Sequence, residues 1–141
     1  MQNFFCFLIL VALSSCGVAE GQIPEVVKKS FADKYPDEKS PKWMVDDNGN
    51  YEAQFKKKGE PYRADFDKNG NWIETENTIK YSNLPEPVKD AIKKDYDKDD
   101  IVEIERVEHP TKGLFFDIEF KKKGEKHDVE YNSSGTIIGR E

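Results

Sequence analysis

The sequence predicts an α+β protein built from two tandem copies of one unit, each a helix followed by four short strands. Three observations predict it. Ile23-Pro24-Glu25 through Tyr35 is matched by Leu84-Pro85-Glu86 through Tyr96, so one helix pattern occurs twice. Phe55-Lys-Lys-Lys-Gly-Glu60 recurs letter for letter as Phe120-Lys-Lys-Lys-Gly-Glu125. Around these marks apolar residues alternate with polar ones, the period of a strand with one buried face. A unit of about 60 residues buries only about 60% of its chain surface alone and gains by packing against a copy.

The chain divides into an export signal with a lipobox at 1–16, a tether at 17–22, a first repeat at 23–76, a linker at 77–83 and a second repeat at 84–141. Phe4 to Leu13 is an unbroken apolar run of ten residues. That is too short to cross the roughly 30 Å hydrocarbon core as a helix and the right length for an export signal. The run ends in Leu13-Ser14-Ser15-Cys16, which looks like the lipobox of bacterial lipoproteins, where cleavage precedes Cys16 and its thiol carries the lipid. Met1-Gln2-Asn3 lacks the usual basic residue, and Gly17-Val18-Ala19 offers an ordinary signal-peptidase site. By either route the mature protein is exported, to the periplasm or as an outer-membrane-associated lipoprotein, and touches a membrane only through a lipid anchor. Cys6 falls inside the signal, so the folded part has no disulfide framework and no thiol nucleophile.

Each repeat opens with a helix. Pro24 and Pro85 suit a first helical position, where the missing N–H needs no partner, and Glu25 and Glu86 suit the positive end of the helix dipole. Val27, Phe31 and Tyr35 recur at i, i+4 and i+8, as do Val88, Ile92 and Tyr96, giving each helix one apolar stripe to lay on a sheet. Strands follow. Tyr51, Ala53 and Phe55 share a face, then Tyr62, Ala64 and Phe66; the second copy shows Leu114, Phe116, Ile118 and Phe120, then His127, Val129 and Tyr131. Two-residue turns at Lys58-Gly59 and Lys123-Gly124 set Phe55 opposite Tyr62 and Phe120 opposite His127. The copies are offset by 61 at the helix and by 65 from Phe55 onward. The first hairpin of the second copy is therefore longer by four residues, two per strand, which leaves every inward and outward assignment unchanged.

Tyr51-Glu-Ala-Gln-Phe55, a Gly turn, Tyr62-Arg-Ala-Asp-Phe66 and Asp67-Lys-Asn-Gly-Asn71-Trp72-Ile73 together resemble the PepSY-like repeat. The tandem pair, from Ile23 to Glu141, resembles the β-lactamase-inhibitor-like PepSY-like family of exported bacterial proteins. The resemblance implies one long antiparallel sheet with helices on one face and an open, curved face on the other. In the inhibitor that names the fold, that face binds a protein. Scaffold motifs match here and no contact motif does, so no inhibitory residue is carried over.

Other functions are weaker on the residues. With 28 acidic against 22 basic side chains and a net charge of −6, the composition argues against nucleic acid, whose binding runs on phosphate neutralisation. The Lys-Lys-Lys-Gly runs read as solvated hairpin tips. Asn132-Ser133-Ser134 reads as a turn, since a lipobox implies a bacterial envelope where that glycosylation sequon is normally unread. Asp65-x-Asp67-x-Asn69-Gly70-x5-Glu76 satisfies an EF-hand loop pattern and makes a calcium- or small-ligand-binding envelope protein the alternative. It is preceded by Gly59, Pro61 and alternating strand residues rather than a helix, so a hairpin turn at Asn69-Gly70 is expected instead, with another at Asp46-Asp47-Asn48-Gly49. His109 beside Pro110 and His127 on an apolar strand face have no nucleophile for a partner, and no phosphate loop, metal cluster or cofactor motif occurs. No catalysis and no cofactor is expected.

The expected function is therefore a non-enzymatic module that binds a protein in the bacterial envelope, with inhibition of that protein as one outcome of binding. Strand parity places Glu52, Gln54, Arg63, Asp65, Phe115, Asp117, Glu119, Asp128 and Glu130 on the outer face. Two-residue turns at Asn69-Gly70 and Ser134-Gly135 would pair Phe66 with Ile73 and turn Ile138 inward, sending Trp72 and Ile137 outward. On this reading Trp72 is exposed, and Trp72 and Phe115 are aromatic anchors for the partner.

Overall fold

The computed structural model describes residues 22–140 apart from position 47. The lipobox, the lipid-attachment Cys16, the signal and most of the tether lie outside the described residues. Helix α1 (Glu25–Lys34) is followed by strands β1 (Lys42–Val45), β2 (Tyr51–Lys57), β3 (Glu60–Phe66) and β4 (Trp72–Thr78). Helix α2 (Glu86–Asp95) is followed by β5 (Ile101–His109), β6 (Gly113–Lys122), β7 (Glu125–Asn132) and β8 (Ile137–Arg140). All eight strands form one antiparallel sheet in sequence order, so the repeats join edge to edge through β4 and β5.

The helices begin one residue later than the proline pattern predicts. Pro24 and Pro85 stand just before the first turn with extended ψ angles of 140° and 145°, and their carbonyls accept the first helical hydrogen bonds from Val27 and Lys28, and from Val88 and Lys89. Each apolar stripe then lands on the sheet. Val27, Phe31 and Tyr35 join Trp43, Ala53, Phe55, Ala64 and Phe66 in one buried cluster. Val88 and Ile92 join Ile104, Phe116, Ile118, Phe120, Val129 and Tyr131 in a second. Burying a side chain of this size is worth roughly 1.5–3 kcal/mol, so these two clusters, one per repeat, hold the helices to a common face.

The hairpins explain the register. Lys58-Gly59 and Lys123-Gly124 are two-residue turns with positive φ at both positions, the geometry that matches strand twist, and they pair Phe55 with Tyr62 and Phe120 with His127 as predicted. The β5–β6 hairpin is the longer one, with strands of 9 and 10 residues against 4 and 7 for β1 and β2.

At two other turns the predicted count is off by one. Asp67 N–H donates to the Asn71 carbonyl and Gly70 N–H to the Asp67 carbonyl, so three residues, not two, form the loop tip. Phe66 then pairs with Trp72, and a bulge restores the register at Asp65 and Glu74. Asn132 to Thr136 repeats the arrangement, pairing Tyr131 with Ile137 before a bulge leads to Glu130 opposite Gly139. Trp72 and Ile137 therefore face the helices, and Ile138 is 41% exposed, opposite to expectation.

Candidate functional site

With both helices on one face, the other face carries the outward side chains of the sheet, and cross-strand pairing arranges them in rows. One row runs Lys42, Gln54, Arg63, Glu76, Val107, Phe115, Asn132 across β1 to β7. Three further rows each carry three consecutive carboxylates: Glu52, Asp65, Glu74, with Met44 before them on β1; Glu105, Asp117, Glu130, between Thr78 on β4 and Gly139 on β8; and Glu103, Glu119, Asp128. Nine of the eleven residues predicted for this face lie on it, namely Glu52, Gln54, Arg63, Asp65, Phe115, Asp117, Glu119, Asp128 and Glu130.

Trp72 and Ile137 do not. Trp72 packs against the first core cluster, donates its indole N–H to Thr75 Oγ1 at 2.9 Å and lies with its ring centroid 3.3 Å from Lys34 Nζ. Ile137 packs against the second cluster. The physical reason is the longer loop: one added tip residue reverses inside and outside until the bulge corrects it. The signal was in the sequence. Asp46, Asp67 and Asn132 each precede a glycine by three positions, the mark of a type I turn closed by a left-handed glycine. Each side chain also accepts backbone N–H groups two and four residues on, as Asp67 Oδ1 does from Asn69 and Asn71 at 2.8 Å. Those bonds hold the Asp67 and Asp46 carboxyls below their usual range.

Phe115 sits on the open face as predicted but is only 3% exposed, and its neighbour Val107 is 1% exposed. The two form an apolar floor within a hollow of about 260 Å³ walled by Glu74, Glu76, Asp117, Asp128 and Glu130. Lys112, from the β5–β6 turn, reaches in: its Nζ lies 2.6 Å and 2.8 Å from the Glu130 oxygens and 5.1 Å from the Phe115 ring centroid. A smaller hollow of about 120 Å³ lies among Glu103, Glu105, Asp117, Glu119 and Asp128. A larger one of about 630 Å³, on the first repeat, is lined by Lys42, Gln54, Lys56, Arg63, Glu76 and Thr78 among others. Glu74 and Glu76 on β4, Glu105 and Val107 on β5, and Lys112 in the turn after β5 are additions to the predicted face.

Packing like charges on one face has electrostatic consequences. Burial, then Glu52, Glu76 and Glu74, push the Asp65 carboxyl up to about 7. Burial and Glu76 push Glu105 to about 7 as well, against the pull of Arg63. Glu74 is raised by burial and by Glu76. Arg63 is held above its ordinary value because Glu105 and Glu76 outweigh its own burial; it donates to Glu76 at 2.7 Å and to Glu105, so one guanidinium on β3 ties the repeats together. Lys126 pairs with Glu119 at 2.8 Å.

The other chemistries suggested by sequence do not assemble. Asp65 points to the open face while Asp67 closes its own hairpin, so the calcium-loop oxygens do not converge, and among the described residues no group of three or more acidic, His or Cys side chains is arranged to hold a metal. His109 Nδ1 caps the hairpin tip, accepting from the N–H groups of Thr111 and Lys112 at 3.2 Å. His127 stacks on Phe120 at 5.5 Å between ring centroids.

With the fold and face in view, the comparisons decide the family. A family described as "putative beta-lactamase-inhibitor-like, PepSY-like" matches residues 13–60 and 49–139. The chain belongs to this PepSY-like family. Solved structures share its fold. A DUF2874 family protein from Bacteroides ovatus superposes with a TM-score of 0.74 at 23% identity, covering 84% of this chain and 86% of that one. A BLIP-like protein from Bacteroides fragilis gives 0.70 at 21%, covering 84% of each chain. A protein from Bacteroides eggerthii, described as a "putative periplasmic" protein, gives 0.71 at 19%, covering 84% and 87%. No curated protein matches the chain. Among the described residues no helix is long and apolar enough to cross a membrane.

Proposed function

We propose that this chain is an exported, lipid-anchored, non-enzymatic module of the bacterial envelope that binds a protein through the open face of its sheet. The observation that carries this reading is the arrangement of the sheet: both core clusters lie on the helix side, and the opposite face presents hollows walled by charged side chains held in ion pairs. A hollowed, polar face built on strands suits recognition of a surface, and among the described residues its acidic side chains form no group arranged to hold a metal. The inhibitor-like family and the BLIP-like and periplasmic relatives support protein binding in the envelope. The anchor rests on Leu13 to Cys16.

Site-specific photocross-linking in the native envelope tests the reading. A cross-linking residue at Gln54 or Glu119, on the open face, should capture one discrete protein, whereas one at Lys29 on the outside of α1 should not. Capture of the same protein from Lys29, or of none from the open face, would overturn it. For the anchor, Cys16→Ala should release the protein from the membrane fraction or leave it unprocessed. Wild-type protein in the soluble fraction, starting at Glu20, would instead assign ordinary signal cleavage.

A further inference from the structure

The three acidic rows are expensive for the fold. Like charges directly opposite on antiparallel strands destabilise the pairing by a few tenths of a kcal/mol to about 1 kcal/mol each, yet Glu52, Asp65 and Glu74, then Glu105, Asp117 and Glu130, then Glu103, Glu119 and Asp128 stand in line. Folding alone would favour alternating signs. The second observation is the apolar floor: Val107 and Phe115 lie buried on a mostly polar and charged face, in a hollow walled by five carboxylates. A floor that takes an alkyl chain and a wall that takes a positive charge are together the complement of a lysine side chain, whose methylene stem packs on apolar surface while its ammonium stays with oxygen ligands. The chain itself demonstrates the fit, since Lys112 enters this hollow with its ammonium on Glu130 and near the Phe115 ring. Lys112 comes from an exposed hairpin tip and is 44% exposed, so it can be displaced.

We propose that this hollow is the seat for a lysine side chain on a basic segment of the partner protein, and that Lys112 occupies it in the partner's absence. The inference rests on the open-face reading and adds the partner's chemistry. The neighbouring acidic rows extend the recognition to further basic residues of the same segment and steer its approach.

The test uses the exported protein and an acetylated, amidated pentalysine peptide as probe, followed by amide NMR shifts and calorimetry at low salt. Shifts should centre on Val107, Phe115 and Glu130, and binding should weaken at least about tenfold in Glu74→Gln/Glu130→Gln. The matched pair Glu25→Gln/Asp33→Asn, which removes the same charge from α1, should change affinity less than about twofold. Lys112→Ala should tighten binding about threefold by vacating the seat, a gain that general charge attraction also predicts, so Lys112→Gln is compared with Lys94→Gln on the helix side, which should leave affinity near wild type. Equal loss in both acidic pairs, shifts centred elsewhere, or equal gains in the two lysine variants would overturn the seat. Spermidine binding as tightly as the peptide would identify a polyamine site and also overturn it. A protein still cross-linked at full yield by Glu74→Gln/Glu130→Gln would leave the open-face reading standing without the lysine seat. Peptide binding in the hollow with no cross-linked protein would do the reverse.

Discussion

The two repeats fill the same space with different parts. In the first, large residues on α1 and β1 meet small ones on β2 and β3: Phe31 and Trp43 pack with Ala53 and Ala64. At the matching places in the second repeat, Ile92 and Ile104 meet Ile118 and Val129, all of middle size. The pairing is the same in both, Trp43 opposite Ala53 and Ile104 opposite Ile118. Core volume is thus distributed unevenly in one copy and evenly in the other. The lesson is that the unit conserves summed volume and the inward period of its strands, not residue identity, because interiors must be close-packed and a strand offers only alternate positions to do it. The open faces differ too: Lys42, Lys56 and Arg63 line a hollow of the first repeat, whereas the two hollows on β5 to β7 are walled mainly by carboxylates, Glu74 and Glu76 of the first repeat among them.

The sharpest way to break the comparison is to separate the copies. A chain ending at Thr78 loses the β4–β5 pairing and the Arg63–Glu105 contact, uncovers the edge of β4 and leaves a core of one small unit. It should show no cooperative thermal transition by circular dichroism; a sharp, reversible melt would make the repeats independent domains. Next comes Ile118→Ala. It opens a void in the second core cluster at a place flanked across the strands by Ile104 and Val129, neither of which is large enough to fill it, so it should cost about 2–5 kcal/mol in urea unfolding. A cost under about 1 kcal/mol would show that this core collapses freely. The reciprocal change, Ala53→Ile, overpacks the first repeat beneath Trp43 and should cost about 1–3 kcal/mol. Adding Trp43→Ile recreates the arrangement of the second repeat and should recover part of that loss, whereas additive costs would refute volume exchange between these sites.

A further expected effect is a pH dependence arising on the open face. Asp65 and Glu105 bind protons up to about 7 in the folded chain, above the ordinary 3.8 and 4.5. Between those values the folded state holds more protons than the unfolded one, so stability is greatest near the lower end of the window and falls as pH rises through about 7. Melting temperature should therefore decline from pH 5 to pH 8, and Asp65→Asn should flatten the decline. An unchanged slope in Asp65→Asn would place the titrating group elsewhere.

Much of this architecture was legible in the chain. The repeated helix stripe, the Lys-Gly turns and the period of two located the helices, paired Phe55 with Tyr62 and Phe120 with His127, and placed nine polar and aromatic residues on the correct face. These follow from local rules: 3.6 residues per helical turn, alternation along a strand, and positive φ at a two-residue hairpin. Trp72 and Ile137 were legible only in part, because their direction hangs on one residue of loop length. The tertiary structure shows what accompanies that choice: a Cβ on Gly70 would lie 2.8 Å from Ser30 Oγ and 2.9 Å from the Val26 carbonyl, and one on Gly135 only 2.3 Å from the Pro87 carbonyl. Each helix lies on the tip of a hairpin some forty-five residues away in sequence, so that turn is part of the packing as well as of the strand. The burial of Phe115 was likewise decided in three dimensions. Parity assigns a side chain to a face, but whether that face is flat or hollow there depends on what its neighbours on other strands bring together.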